Sequence, residues 1–125
     1  MVVPVTAHPA WNKAAHYLGL KICMTPVKDD LRADMAAIKN AITKNTVILG
    51  GTAVTYPHGM VDPIEQIAAL AEKKNLWLHV DACLGGLILP FLKRLGYKIP
   101  PYDFSVPGVT SISADIHKYA YTPKG

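Results

Sequence analysis

The chain has 125 residues, of which 50% are hydrophobic and 18% are charged, and its formal net charge is +4. These values predict one globular domain with a buried core and exclude a disordered chain. The basic residues are scattered, with Lys73-Lys74 and Lys93-Arg94 as the only adjacent pairs. We therefore expect no nucleic-acid partner, which would need a clustered basic surface.

The sequence also disfavours several other kinds of site. Cys23 and Cys83 form no CxxC pair, which indicates reduced thiols in place of a disulfide framework. The histidines are dispersed and no HExxH spacing is present, so we expect no metal site. No apolar run reaches the roughly 18 residues of a membrane span, and the N-terminus lacks the features of a signal peptide.

Strands and helices are predicted to alternate along the chain. The apolar and β-branched runs typical of strands cover residues 2–6, 21–25, 46–50, 76–80 and 109–114. Helical spacing of apolar residues covers residues 9–18, 31–42, 63–74 and 83–95. Residues 51–62 and 97–108 are predicted loops. This alternation predicts an α/β fold with a mostly parallel sheet and helices on both faces.

Residues that favour helix starts and stops define the helix boundaries. Gly19 follows the first helix and is typical of a helix end. Asp29 or Asp30 is the expected cap of the second helix, and Asp62 is the expected N-cap of the third, with Pro63 in its first turn.

Asp81 is the first candidate for chemistry because it follows the apolar strand 76–80 and would lie at its carboxyl end, where ligands bind in open α/β sheets. A buried carboxylate there could face a cationic ligand nitrogen, and the alternative is an ordinary helix cap. His79 would point to the same side of the strand, either into the site or as a hydrogen-bonded core histidine.

His117 and Lys118 follow the last predicted strand and form the second candidate. A desolvated lysine can be neutral and attack an aldehyde to form a Schiff base, whereas an isolated His-Lys pair is more often surface charge. The covalent role is favoured by the pairing with Asp81, since both would lie at one edge of one sheet.

Two segments carry a family resemblance. Residues 78–86 read LHVDACLGG and residues 108–119 read GVTSISADIHKY. Together they strongly resemble the sphingosine-1-phosphate lyases, which belong with the pyridoxal-phosphate-dependent group II decarboxylases. Shorter matches are found at residues 6–8 (TAH), 12–15 (NKAA) and 57–59 (PHG), so the likeness runs almost end to end.

The resemblance implies a three-layer α/β/α fold with a mostly parallel sheet, as in the large domain of fold type I pyridoxal-phosphate enzymes. Residues 1–125 would form part of that domain. The upstream loop that holds the cofactor phosphate and the C-terminal small domain would lie outside the chain. The fold normally completes its site across a homodimer.

The resemblance also implies roles for single residues. Lys118 would bind pyridoxal 5'-phosphate covalently, Asp81 would pair with its ring nitrogen, and His8 would stack on the ring. His117 would lie near the cofactor phosphate or the substrate. Minor cofactor contacts are expected from Thr52, Ala82 and His79. Residues expected on the substrate side are Tyr119, Tyr121 and Lys124.

The implied activity is carbon–carbon cleavage of a phosphorylated sphingoid base to a long-chain aldehyde and phosphoethanolamine, in sphingolipid catabolism. The alternatives are an amino-acid decarboxylase of the same fold and a non-catalytic α/β module. We expect this chain to be inactive by itself. Membrane association would come only from segments outside it. By resemblance to the family, the expected location is the endoplasmic reticulum membrane facing the cytosol for a eukaryotic protein and the cytoplasm for a bacterial one.

Overall fold

The computed structural model describes residues 1–124. The strands are β1 (Val2–Pro4), β2 (Cys23–Thr25), β3 (Ile48–Thr52), β4 (Trp77–Asp81) and β5 (Ser111–Ser113). The helices are α1 (Ala10–Leu18), α2 (Met35–Ala41), α3 (Ile64–Lys74), α4 (Gly85–Arg94) and α5 (Ile116–Tyr119).

The strands form one sheet in the order β2-β1-β3-β4-β5, and every pairing between neighbours is parallel. The α/β class and the parallel sheet predicted from the alternation of elements are therefore confirmed. Non-consecutive neighbours, such as β1 and β3, are joined by crossovers that contain helices, as parallel strands require.

Helices cover the two faces of the sheet unequally. On one face α2, α3 and α4 enclose the main core, which includes Ile38, Leu49, Ile67, Leu78 and Leu89. On the other face α1 contributes a smaller cluster around Val3 and Trp11. The three layers are thus present. The face that carries α1 is only partly covered, and an open groove runs along it.

Two consecutive glycines in β3 let helices approach both faces closely. A Cβ on Gly50 would lie 2.7 Å from the Trp11 ring, and one on Gly51 would lie 2.6 Å from Ile64. Because successive side chains in a strand point to opposite faces, one glycine makes room for α1 and the other for α3. The glycine pair therefore serves packing.

The predicted start of the second helix was wrong. Asp34 is its N-cap and accepts hydrogen bonds from the backbone N–H groups of Ala36 and Ala37. Asp30 instead accepts from the N–H of Arg32, within a turn in which Leu31 has a φ of 63°. Because Asp30 is engaged in the turn before the helix, the capping role falls to the later aspartate, Asp34.

The predicted cap of the third helix was also wrong. The Asp62 carboxylate accepts hydrogen bonds from the N–H groups of Ala33 and Thr52, both at 2.9 Å, and no side chain caps α3. β3 also extends two residues beyond its predicted end, to Thr52, where Asp62 holds it in place. The short helix α5 was not predicted.

Candidate active site

The candidate site lies at the carboxyl ends of three neighbouring strands, β3, β4 and β5. In the parallel register, Thr52 of β3 pairs with Asp81 of β4, and Asp81 pairs with Ser113 of β5. Residues in register across neighbouring parallel strands share a face of the sheet. Three polar side chains therefore lie side by side at the carboxyl edge of the sheet, on the face that α1 leaves open.

Asp81 is the central member of this row and is only 8% exposed. Its Oδ1 accepts a hydrogen bond from the Ser113 hydroxyl at 3.0 Å and another from the backbone N–H of Cys83 at 3.1 Å. It does not cap α4, whose N-terminal flanking residue is Leu84. The carboxylate is thus buried, oriented by two donors and directed to the open face.

Lys118 lies across the site on α5, which follows β5 after a short turn. Its Nζ forms an ion pair with Asp115 Oδ2 at 2.9 Å. Burial opposes the charge on Lys118, but contacts with Cys83 and Asp115 outweigh burial and raise the pKa of the amine. The contact with Lys118 correspondingly lowers the pKa of Asp115.

Cys83 lies at the site together with the carboxylate and the amine. Its side chain lines the same cavity as Asp81 and Lys118, and burial is the main cause that raises the pKa of its thiol. Two of the residues with predicted catalytic roles, Lys118 and Asp81, therefore border one cavity together with this thiol.

The same residues line two cavities. A small one of about 180 Å³ is bounded by Thr6, His8, Thr52, Asp81, Cys83 and Lys118 among others. An open groove of about 680 Å³ shares His8, Asp81, Cys83 and Lys118 and continues along the sheet between Trp11 and Trp77. The structure thus places Lys118, Asp81, His8 and Thr52 around one cavity.

His79 lies two residues before Asp81 and lines the groove beside it, which confirms that the two side chains share a face. Its Nδ1 is 2.8 Å from Ser111 Oγ, which also accepts a hydrogen bond from Trp77 Nε1 at 3.0 Å. The Trp11 ring packs edge-on against the His79 ring, with 5.6 Å between the ring centroids. Burial lowers the pKa of His79, so this histidine favours the neutral form on the floor of the groove.

The other predicted site residues lie elsewhere. Ala82 is fully buried and lines neither cavity. His117 lies on α5 with its Nε2 3.7 Å from Asp115, also outside both cavity linings. Tyr119 lines a different cavity, and Tyr121 is 86% exposed. Lys124 is exposed and borders neither cavity.

Sequence reasoning missed Ser113, Asp115 and Cys83. Ser113 could have been found from the register, because a parallel β4–β5 pair that brings Asp81 and Lys118 to one edge also brings Ser113 beside Asp81. Asp115 precedes Lys118 by three positions, a spacing that lets side chains meet within one helical turn. Cys83 carried no signal of its own.

The donor set of the small cavity fits pyridoxal 5'-phosphate. An amine and a carboxylate lie on its walls, which suits a group with an aldehyde and a basic ring nitrogen. Thr52 is 4% exposed, and its Oγ1 has no hydrogen-bond partner among residues 1–124. Because buried hydroxyls are normally satisfied, this unpartnered hydroxyl is available to a ligand in the cavity.

Within residues 1–124, no group of three or more histidine, cysteine or acidic side chains is arranged to hold a metal ion. No helix among the same residues is long and apolar enough to cross a membrane.

The family model described as "Pyridoxal-dependent decarboxylase conserved domain" matches residues 1–124. The chain therefore belongs to the pyridoxal-dependent decarboxylase family, and the resemblance drawn from its motifs is confirmed. Pyridoxal 5'-phosphate is accordingly the cofactor of the family to which this site belongs.

Similar relatives include sphingosine-1-phosphate lyases. The chain is 50% identical over 125 residues to sphingosine-1-phosphate lyase of Arabidopsis thaliana and 52% identical over 126 residues to that of Dictyostelium discoideum. These alignments cover 100% of the chain but 23% and 24% of the relatives. The chain thus spans about a quarter of the length of the curated relatives it matches.

Solved structures give the same picture. A sphingosine-1-phosphate lyase of Burkholderia pseudomallei superposes with a TM-score of 0.97 at 49% identity, over 100% of this chain and 29% of that one. A glutamate decarboxylase of Lactobacillus brevis superposes with a TM-score of 0.84 at 25% identity, over 95% of this chain and 28% of that one.

Proposed function

We propose that this chain is the cofactor-binding part of a pyridoxal-phosphate-dependent aldehyde-lyase. Its substrate would be a phosphorylated sphingoid base, cleaved to a long-chain aldehyde and phosphoethanolamine in sphingolipid catabolism. The observation that carries the proposal is the placement of Lys118 and Asp81 on the walls of one small cavity, which His8 and Thr52 also line.

The choice of a lyase over a decarboxylase rests on similarity. The relatives at about 50% identity are named sphingosine-1-phosphate lyases, whereas the glutamate decarboxylase structure shares 25% identity. An amino-acid decarboxylase is the second candidate, because the two activities share the fold and the cofactor.

The roles of the chain's own residues follow from their positions. Lys118 would hold the cofactor at its aldehyde carbon, Asp81 would hold the proton on the ring nitrogen, and Thr52 would donate its hydroxyl. When bound, the cofactor supplies an electron sink for the bond that breaks. His79 and Trp11 line the open groove that adjoins the small cavity.

Asp115 stabilises the protonated form of Lys118. Its Oδ2 lies 2.9 Å from the Lys118 Nζ, which stabilises the protonated amine before the cofactor is attached. Attack on an aldehyde needs the neutral amine. Attachment therefore requires that Lys118 give up a proton and leave its partner.

The remaining proposals concern the whole protein. By resemblance to the family we propose a homodimer that completes the site, and a 125-residue chain that is inactive alone. We also propose the endoplasmic reticulum membrane as the location if the protein is eukaryotic, and the cytoplasm if it is bacterial.

Product analysis tests the proposed reaction. The full-length protein, reconstituted with pyridoxal 5'-phosphate, is expected to convert phosphorylated sphinganine to a long-chain aldehyde and phosphoethanolamine. Lys118→Ala should abolish turnover, whereas Lys44→Ala, which removes an exposed lysine that borders neither cavity, should not. Release of carbon dioxide from amino acids with no aldehyde from the sphingoid base would favour the decarboxylase.

A further inference from the structure

Ser113 makes a contact that its position in a strand does not require. Its hydroxyl donates to Asp81 Oδ1 at 3.0 Å, while the register of the β4–β5 pair needs only backbone hydrogen bonds. The N–H of Cys83 donates to the same oxygen. Since both donors reach Oδ1 from different elements, they restrict rotation of the carboxylate and define which oxygen faces the cavity.

The neighbouring serine on the same face serves another residue. Ser111 lies two positions earlier on β5 and pairs in register with His79. Its hydroxyl contacts Trp77 and His79 and makes no hydrogen bond to Asp81. The two serines therefore share residue type, strand, face and partial burial, and they differ in the side chain of β4 that each one holds.

We propose that Ser113 is a positioning residue that orients Asp81 toward the ring nitrogen of the cofactor. This inference rests on the proposed function, because it gives Asp81 the ring nitrogen as its partner. A hydrogen bond to a charged group restrains orientation and contributes more than one between neutral groups. Without the hydroxyl, the carboxylate keeps one donor and gains rotational freedom.

Cofactor affinity alone cannot test the role of Ser113, because any structural defect would also weaken binding. The distinguishing probe is a deaza analogue of pyridoxal 5'-phosphate, in which a C–H group replaces the ring nitrogen. The ratio of the two dissociation constants reports how well the protein recognises that nitrogen. A general loss of fold weakens both ligands equally and leaves the ratio unchanged.

The test measures both dissociation constants by absorbance titration of the full-length apo-protein. Wild type is expected to prefer pyridoxal phosphate over the analogue. Ser113→Ala should reduce this preference roughly tenfold, in line with the loss of a hydrogen bond to a charged group. Asp81→Ala should abolish the preference. Ser113→Thr keeps a hydroxyl and suits a strand, so it should restore the preference.

Ser111→Ala is the matched control, because it removes the same group from the same strand while Asp81 keeps both donors. Its ratio should equal that of wild type. An unchanged ratio in Ser113→Ala, or an equal fall in Ser111→Ala, would overturn the proposal for Ser113. Failure of wild type to bind pyridoxal phosphate would instead overturn the proposed function, so the two failures are distinguishable.

Discussion

Two buried aspartates, Asp62 and Asp81, show how similar burial can serve different ends. Asp62 is 1% exposed and accepts one backbone N–H on each oxygen, from Ala33 and Thr52. Asp81 is 8% exposed and receives both of its donors, Ser113 and Cys83, on Oδ1. Asp62 therefore braces the fold, and Asp81 offers an oriented carboxylate to the cavity.

The largest expected difference between the two is in stability. Asp62→Ala leaves two buried N–H groups without partners, and each such group costs about 1–3 kcal/mol. We expect a loss of about 3 kcal/mol or more in the free energy of unfolding, measured by denaturant titration. Asp81→Ala leaves only one backbone N–H, that of Cys83, without its acceptor, so it should cost about 1 kcal/mol and instead abolish recognition of the ring nitrogen. Equal losses of stability in the two variants would contradict the division of roles.

The second effect concerns the lysine opposite Asp81. Asp115→Asn removes the negative partner that helps to raise the pKa of Lys118. A lower pKa leaves more neutral amine at a given pH, so covalent attachment of pyridoxal phosphate should accelerate at neutral pH. We expect a two- to fivefold gain, because a part-exposed ion pair contributes about 0.3–1 kcal/mol.

Borohydride trapping at a series of pH values measures this effect. The rate for wild type should rise with pH as the amine loses its proton, and the Asp115→Asn profile should be displaced to lower pH. Asp103→Asn is the control, since Asp103 accepts a hydrogen bond from the N–H of Ser105 and borders neither the small cavity nor the groove. Superimposable profiles for Asp115→Asn and wild type would show that Asp115 does not control the lysine.

Thr52 is linked to both aspartates, through its backbone to Asp62 and through its side chain to the cavity beside Asp81. Its backbone N–H donates to Asp62, while its unpartnered hydroxyl borders the Asp81 cavity. Thr52→Val keeps the backbone contact and removes an unsatisfied buried hydroxyl, so stability should be unchanged or rise by about 1 kcal/mol. Cofactor affinity should fall roughly fivefold and recover in Thr52→Ser. A large loss of stability would mean that the hydroxyl has a partner within the fold.

The smallest effect is the pH dependence of the contribution that Asp62 makes to stability. Burial raises the pKa of Asp62 above 3.8, so the folded state binds this proton more tightly than the unfolded chain. Its contribution to stability therefore grows as pH falls through the raised pKa toward 3.8. The difference in unfolding free energy between wild type and Asp62→Asn should increase over that interval. A difference that shrinks on acidification would contradict the raised pKa.

The same pair of aspartates explains what sequence could and could not predict. The strand before Asp81 and the strand before Lys118 are visible as apolar or β-branched runs, and parallel topology then places both residues at one edge. Asp62 precedes a proline and a helix, which is the pattern of an N-cap. Its actual partners, Ala33 and Thr52, are 29 and 10 positions away, and a local pattern cannot encode such contacts.

The central claim is that Lys118 attaches the cofactor beside Asp81. It is tested most directly by reducing the reconstituted protein with borohydride and mapping the modified lysine by peptide mass spectrometry. The account predicts the pyridoxyl group on Lys118, and its absence in Lys118→Ala although the variant remains folded. Modification of a different lysine in wild type, or undiminished modification of Lys118→Ala, would contradict it.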